Sequence, residues 1–424
     1  MDTHQTAKNG ETQAFRPPTA ELQPIVPESS PNVPEQVEVT VVPQPKRKKN
    51  SPWRIVWYCT RFILRMALGA ALALVVLAVG LVGYLTVTEY MPAYAENADR
   101  GSYNAITQID FGKKYSIISF NTGYAGLGED ADFFMDGGDG VNPESEAIVL
   151  NNMSGIERIM SEADADFILL QEVDTNSHRS FGQNQWLSYE GTLKNYESRF
   201  ALNYSCRYVP YPLTEFIGTV NSGLATYSRY DIRSATRYSL TNEFDWPVRV
   251  AQLKRCLLVS RLPILVAEGQ EPVELVLVNL HLEAYDDDAT RIAQTKQLMA
   301  LIEEEYAKGN FVIAGGDFNQ SFPNGTDKYP LLDKDFWAPG ELKSLKNGWQ
   351  YAYDDRRPSC RLLNEAYDPR NSDTQFYIID GFILSPNVEL KTVYTMDEGF
   401  VYSDHNPVYM QFSLLNPAET GATD

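Results

Sequence analysis

Cysteine is scarce in this sequence: four in 424 residues, with no C-x-x-C pair. That excludes a zinc ribbon, a thioredoxin-type redox motif and a disulfide-dense scaffold. Histidine is equally rare, also four, and one of these (His4) lies near the N-terminus. Positive charge is short as well: 36 Lys and Arg against 56 Asp and Glu leave a formal net charge of −20. A chain this acidic does not grip polyanions by bulk attraction, which excludes a tight, non-specific nucleic-acid binder. No internal repeat is visible. What remains is 43% apolar and 22% charged, an ordinary globular composition, with enough length for one large domain and appendages.

The charge is unevenly spread. Residues 1–65 hold nine basic and six acidic residues, while the rest holds 27 and 50. Between the basic head and the acidic body lies Met66–Thr88, 23 residues without a charge. As a helix it spans roughly 34 Å, the thickness of a hydrocarbon core. Lys46, Arg47, Lys48, Lys49, Arg54, Arg61 and Arg65 precede it, and Glu89, Glu96 and Asp99 follow. The positive-inside rule predicts a single-pass cell-membrane protein, its N-terminus cytoplasmic and its body extracellular. Ala93-Tyr94-Ala95 resembles a signal-cleavage site, but the apolar run begins far from the N-terminus and is too long for an h-region.

Six segments follow from this pattern. Residues 1–50 carry eight of the 24 prolines and read as a disordered, Pro-rich cytoplasmic tail. Residues 51–65 are a basic juxtamembrane segment, 66–88 the membrane helix, 89–112 a linker and 416–424 a C-terminal tail. Residues 113–415 alternate strand-like runs with helical patterns, which predicts one α/β (α+β) domain. Two helices are expected, over about 145–162 and 289–307. In the second, Ile292, Thr295, Met299, Ile302 and Tyr306 step as one buried face, with Asp287 or Asp288 as cap.

The chemistry sits where the apolar strands end. YSIISFN (115–121), DFILLQE (166–172), ELVLVNLHL (274–282), FVIAGGDFN (311–319) and YIIDGFILS (377–385) carry Asn121, Glu172, His281, Asp317 with Asn319, and Asp380. Asp404 and His405 open the last strand, HNPVYMQFSL (405–414). Ligands gather at strand ends in α/β sheets, and carboxylates and amides suit a hard divalent cation. A lone Asp after a strand is usually a cap or turn, and a lone His usually a satisfied structural one. The whole set in one chain points to a metal-assisted site.

The motifs SFN (119–121), LLQEVD (169–174), SGLATYSRYDI (222–232), NLHLE (279–283), GGDFNQ (315–320), IIDGF (378–382) and SDHNPV (403–408) together resemble the endonuclease/exonuclease/phosphatase superfamily, the deoxyribonuclease-I-like fold. The resemblance covers about 113–415. It implies a four-layered sandwich of two β-sheets flanked by helices, and metal-dependent hydrolysis of a phosphoester. By the same resemblance Glu172, Asp404 and Asn121 hold Mg²⁺, with Mn²⁺ as its substitute. Asp317 orients or deprotonates the attacking water, and Asn319 holds the phosphate or that water. His405 binds the phosphate with Asp380 behind it, and His281 contacts the phosphate or protonates the leaving group. Either Asp317 or a histidine is the base, and a second metal near Asp317 and Asn319 stays open.

Other segments carry less chemistry. Arg179 is placed to grip phosphate, with His178 beside it; a solvated loop is their plainer reading. The stretch 126–140 reads as an acidic loop at the site mouth, lacking EF-hand spacing. YVPYP (208–212) is an aromatic, proline-stiffened loop, either surface packing or a substrate contact. Cys206 and Cys256 are a possible pair, or Cys206, Cys256 and Cys360 are three buried free thiols.

The predicted partners are a phosphoester substrate — nucleic acid, phospholipid or sphingomyelin type, or small phosphodiester — and the membrane, with no obligate protein partner. No basic stripe marks a processive nuclease, and no apolar hairpin stands out as a lipid-insertion device. The alternative is a catalytically inactive membrane-anchored binding or sensing module of the same fold.

Overall fold

The computed structural model describes residues 51–102, 108–242, 244–266, 269, 271–285 and 289–416. The Pro-rich tail 1–50, the cap candidates Asp287 and Asp288, and residues 417–424 lie outside the described residues. Contacts divide the chain into two units, 1–69 and 70–424.

Helix α1 (Pro52–Val87) starts on a proline, which fits the first helical position because its missing N–H would have no partner there. It runs through the basic residues 54–65, so the expected juxtamembrane segment is helical rather than separate. It is long and apolar enough to cross a membrane, and its most apolar stretch is fully exposed. Near its C-terminal end the Thr86 and Thr88 hydroxyls donate back to the Val82 and Tyr84 carbonyls at 2.7 and 2.8 Å.

The expected linker 89–112 is partly built into the body. Strand β1 (Ala95–Asn97) and strand β2 (Asp99–Arg100) each join a different sheet. The remaining strands of the two sheets are β3 (Lys114–Asn121), β4 (Phe167–Asp174), β5 (Glu197–Val209), β6 (Gly218–Ser228), β7 (Ser234–Ser239) and β8 (Cys256–Pro263). They continue as β9 (Glu274–His281), β10 (Phe311–Asp317), β11 (Gln350–Ala352), β12 (Asp380–Leu384), β13 (Val388–Thr395) and β14 (Val408–Leu414). The described residues form two seven-stranded sheets, ordered β1-β7-β8-β9-β10-β12-β11 and β13-β14-β3-β4-β6-β5-β2.

Side-chain alternation explains the layers. Tyr115 and Ile117 of β3, Phe167 and Leu169 of β4, Leu275 and Leu277 of β9, and Phe311 and Ile313 of β10 meet between the sheets. Their neighbours Ile118, Phe120, Ile168 and Leu170 face outward onto α2 (Glu146–Ala163), through Val149, Met153, Ile156 and Ile159. Val276, Val278, Val312 and Ala314 face outward onto α4 (Ala289–Ala307), through Leu298 and Ile302. A shorter α3 (Gln185–Thr192) adds Tyr189 to the α2 side. The result is the expected helix–sheet–sheet–helix sandwich.

Helix α4 keeps its expected bounds, and Met299, Ile302 and Tyr306 of its expected face pack on the core, but the most buried positions lie to one side of that stripe. Arg291, Gln294, Leu298, Ile302 and Glu305 are buried, and Ile292 is exposed. Polar partners decide the rotation. Gln294 accepts from the Glu283 backbone N–H at 2.9 Å and donates to the Thr241 carbonyl at 2.9 Å. Glu305 accepts from Arg261 at 2.6 and 2.8 Å, from Lys308 at 2.8 Å and from Asn310 at 3.0 Å. Burial alone would raise the Glu305 pKa, but these donors outweigh it and hold it at about 2. A depressed carboxyl contributes stability that is full above its unfolded pKa and is lost as pH falls through its folded one. Glu305→Gln is therefore expected to cost about 2 kcal/mol at pH 7. Urea midpoints at pH 7 and pH 3 should show that deficit shrinking at the lower pH.

Candidate active site

The same alternation that fills the core delivers the polar residues to one place. Asn121 shares the inward face of β3 with Ile117, His281 that of β9 with Leu277, Asp317 that of β10 with Ile313, and Asp380 that of β12 with Phe382. Register aligns them: Asp317 is paired with His281 on one side and with Asp380 on the other. One layer deeper, the Gln171 amide donates to Asn279 Oδ1 at 2.8 Å, linking the two sheets beneath the site.

Glu172 arrives differently. The β4–β6 register slips between Leu170 and Val173, and Glu172 adopts φ +55°, left-handed for a residue with a Cβ. A bulge of this kind re-aims a side chain. It leaves Glu172 the most open of the set, its side chain 23% exposed. Asn319 is also left-handed, at φ +49°, a conformation asparagine tolerates. Its backbone N–H donates to Asp317 Oδ1 and its Nδ2 to the Leu282 carbonyl, both at 2.8 Å, fixing the GDFN turn.

Both glycines before Asp317 are needed for close approach. A Cβ at Gly315 would overlap the Phe382 ring, and one at Gly316, at φ +151°, would overlap the Leu280 carbonyl oxygen. Gly316→Ala is expected to destabilise the fold by about 3 kcal/mol, because backbone is what it strikes. A melting scan beside Gly309→Ala, whose added Cβ meets nothing closer than Val273 Cγ1 at 3.8 Å, separates crowding from the positive φ shared by both.

Within the cluster Asp380 Oδ2 lies 2.8 Å from His405 Nδ1, which leaves His405 Nε2 toward the site, 3.8 Å from both Asp317 Oδ2 and Asp404 Oδ2. His281 Nε2 stands 3.4 Å from Asp317 Oδ2, and its Nδ1 3.9 Å from Glu172 Oε1. Asn121 Nδ2 donates to Asp317 Oδ2 at 3.0 Å and to Glu172 Oε1 at 3.3 Å, while its Oδ1 accepts from the Gly123 N–H at 3.1 Å. Asn121 thus faces the site as a donor; a cation would be met by Oδ1 only after the amide turns over.

Burial and neighbouring charge set the protonation pattern. Burial, with Asp380 adding to it, pushes Asp317 up to about 7. Burial pushes Asp404 up to about 6, opposed by His405 and reinforced by Glu172. Burial would lower His405, but Asp380 and its other acidic neighbours hold it well above the usual range. Burial, joined by the charge of Arg255, drives His281 well below it.

These residues fit a divalent metal. The donors are hard oxygens with imidazole, Asp317, Asp380 and His405 converge closely, and among the described residues His281 Nδ1 and Asp380 Oδ1 have no hydrogen-bond partner. Gly123, at φ +50°, keeps the space beside Asp404 open; a Cβ there would lie 2.9 Å from Asp404 Oδ1.

The two remaining candidates part company. Arg179 lines the site cleft but is committed: it donates to both Asp174 carboxylate oxygens at 3.0 and 3.1 Å and stacks 3.7 Å over the Tyr124 ring. His178 is exposed and outside the cleft lining. Sequence reading missed Tyr124, Arg255 and Cys360, which also line the cleft, because each comes from a loop or mid-strand position with no motif of its own. Cys206, Cys256 and Cys360 are free and buried, so no disulfide joins Cys206 to Cys256.

The structure is similar to an endonuclease/exonuclease/phosphatase from Beutenbergia cavernae, at 16% identity over 72% of each chain with a TM-score of 0.48. It is similar to TDP2 from Caenorhabditis elegans, at 18% identity over 72% of this chain and 75% of that one, TM-score 0.42. The human nocturnin catalytic domain with bound sulfate is similar at 15% identity over 71% and 93%, TM-score 0.42. No curated protein matches this sequence. The family model described as "Endonuclease/Exonuclease/phosphatase family" matches residues 145–405, and its members are typically metal-dependent phosphoester hydrolases. With that match over more than half its length, the chain belongs to the endonuclease/exonuclease/phosphatase family.

Proposed function

We propose that this protein is a metal-dependent phosphodiesterase, held in a membrane by α1 with its catalytic domain outside the cell. The observation that carries the chemistry is the convergence of Asp317, Asp380 and His405, with His281 and Asn121, at one end of the sandwich. The basic residues before the apolar run and acidic ones after it support the orientation.

A phosphodiester repels nucleophiles through its own anionic oxygens, so a site must neutralise that charge and align a water. Glu172, Asp404 and, with its amide turned, Asn121 would hold Mg²⁺ or Mn²⁺. The metal when bound supplies charge neutralisation at the phosphoryl oxygen. Asp317 orients the water and takes its proton. The Asn319 turn holds Asp317 in place, and Asp380 fixes the His405 ring so that Nε2 donates to the phosphate. His281, beside Asp317, faces the leaving oxygen.

The test uses the full chain in detergent with bis(4-nitrophenyl) phosphate and the matching monoester, under Mg²⁺, Mn²⁺ or EDTA. The diester should be hydrolysed faster than the monoester, EDTA should stop it, and His405→Ala should slow it at least about 100-fold. A folded protein inactive on both esters with either metal would return the fold to a binding or sensing role.

A further inference from the structure

The catalytic cluster is the polar end of a cleft of about 660 Å³ that has one extended apolar wall. Val82 and Leu85 of α1, Val209 at the end of β5 and Tyr211 just after it, and Val248 and Val250 before β8 line it. The last turns of the apolar helix are therefore part of the same cavity as Glu172, Asp404 and His405. Leu85 is buried there, packed with Tyr204, Val209, Val220 and Val250. Polar ties hold that end of the helix in register: Trp246 Nε1 donates to Thr86 Oγ1 at 3.0 Å, and Glu89 pairs with Arg249 at 3.1 Å and Lys254 at 2.9 Å. Around this end the surface is apolar as well, with Leu213 83%, Tyr211 59%, Trp246 56% and Val248 55% exposed. Scattered exposed apolar residues need no explanation, but a collar around the end of a candidate membrane helix sits where an interface belt would be.

Among the described residues the arginines that line the cleft are already committed. Arg179 is bound by Asp174, Arg255 pairs with Glu283 at 3.5 Å, and Arg361 donates to the Gly128 and Ala131 carbonyls at 2.7 and 3.1 Å. Asp136 and Glu283 add negative charge to the lining. A polyanionic strand finds no row of free cations here, and an anionic head group meets carboxylates.

We propose that the apolar wall built by α1, Val209, Tyr211 and Val248 holds the hydrocarbon chain of a phosphodiester lipid with a zwitterionic head group, whose phosphate lies at the carboxylate–histidine cluster. This rests on the phosphodiesterase reading above and adds the substrate class. A lipid drawn from the membrane that holds α1 keeps its chain on the apolar wall while its phosphate meets the polar floor, so little hydrocarbon enters water. In the reaction water's oxygen bonds to phosphorus, one phosphorus–oxygen ester bond breaks, and that oxygen leaves as an alcohol carrying the proton.

The full chain is reconstituted in phosphatidylcholine nanodiscs with Mg²⁺ or Mn²⁺, and lipid cleavage is compared with turnover of soluble bis(4-nitrophenyl) phosphate. Wild type should cleave the lipid, and Val248→Glu and Tyr211→Glu should each lower the lipid-to-soluble ratio at least tenfold. Both positions are more than half exposed, so both variants should fold. Leu187→Glu, an exposed position on α3 outside the cleft lining, should leave the ratio unchanged. Soluble turnover without lipid cleavage, or ratios unmoved by both cleft variants, overturns the lipid assignment and leaves the phosphodiesterase standing. Turnover of neither substrate overturns both.

Discussion

Glu172→Gln is expected to cut metal-dependent turnover about 10³-fold while leaving the fold at least as stable as before. Glutamine keeps the length and an oxygen for the 3.3 Å bond from Asn121 Nδ2, so only the charge is lost. That charge adds to the burial that pushes the Asp404 pKa up, so the two carboxylates oppose each other in the metal-free site. Removing it relieves the metal-free protein and deprives the loaded one of an anionic ligand. A metal contributes several kcal/mol of transition-state stabilisation, and losing about 4 kcal/mol of it is a factor of about 10³. The melting temperature gives an independent readout. A cation that binds only the folded state stabilises it by about 2.7 kcal/mol at a hundred times its Kd. Mn²⁺ should raise the melting temperature of wild type and have little effect on the variant. A variant that keeps both the metal-induced shift and turnover within tenfold would remove Glu172 from the metal site.

The candidate site residues were legible because strand ends are local features. Once Ile117, Leu277 and Ile313 are assigned inward, counting by two puts Asn121, His281 and Asp317 inward as well, and the motif around each supplies its expected role. The Glu172 position was legible, but the bulge that aims it was not: a slipped register depends on the partner strand β6, which the sequence of β4 does not contain. Neither reading of Arg179, phosphate contact or solvated loop, holds, because nothing in the LLQEVD motif marks Asp174, five residues earlier, as its partner. The buried face of α4 rotated away from its apolar stripe because Arg261 and Thr241, on other elements, select Glu305 and Gln294. The apolar wall was the least visible feature. The 208–212 loop stands out in the sequence, yet no single hairpin carries the wall; it is assembled from that loop, residues 244–253 and α1, which lies more than a hundred residues before either.

Asp317→Asn should separate catalysis from stability more sharply than any other single change. Asp317 is buried among Asn121, His281, His405 and Asp380, and in the proposed mechanism it takes the proton of the attacking water. General base catalysis contributes typically 10²–10⁴-fold, so turnover should fall about 10³-fold, with a smaller change in KM because asparagine preserves the shape and the oxygen that accepts from the Asn319 N–H. Stability without metal should move the other way. A carboxyl whose folded pKa is raised favours folding in its protonated form, so its penalty is absent below the unfolded value near 3.8 and complete above about 7. Asparagine carries no such penalty. Metal-free Asp317→Asn should therefore be more stable than wild type at pH 8, by on the order of 3 kcal/mol, and no different near pH 4. Adding Mn²⁺ at pH 8 should narrow the gap, because a bound cation offsets the same buried charge in wild type. Urea midpoints at the two pH values, with and without metal, measure each of these differences. A variant less stable than wild type at pH 8 would show that the Asp317 carboxylate is held there by its hydrogen bonds rather than strained by its burial.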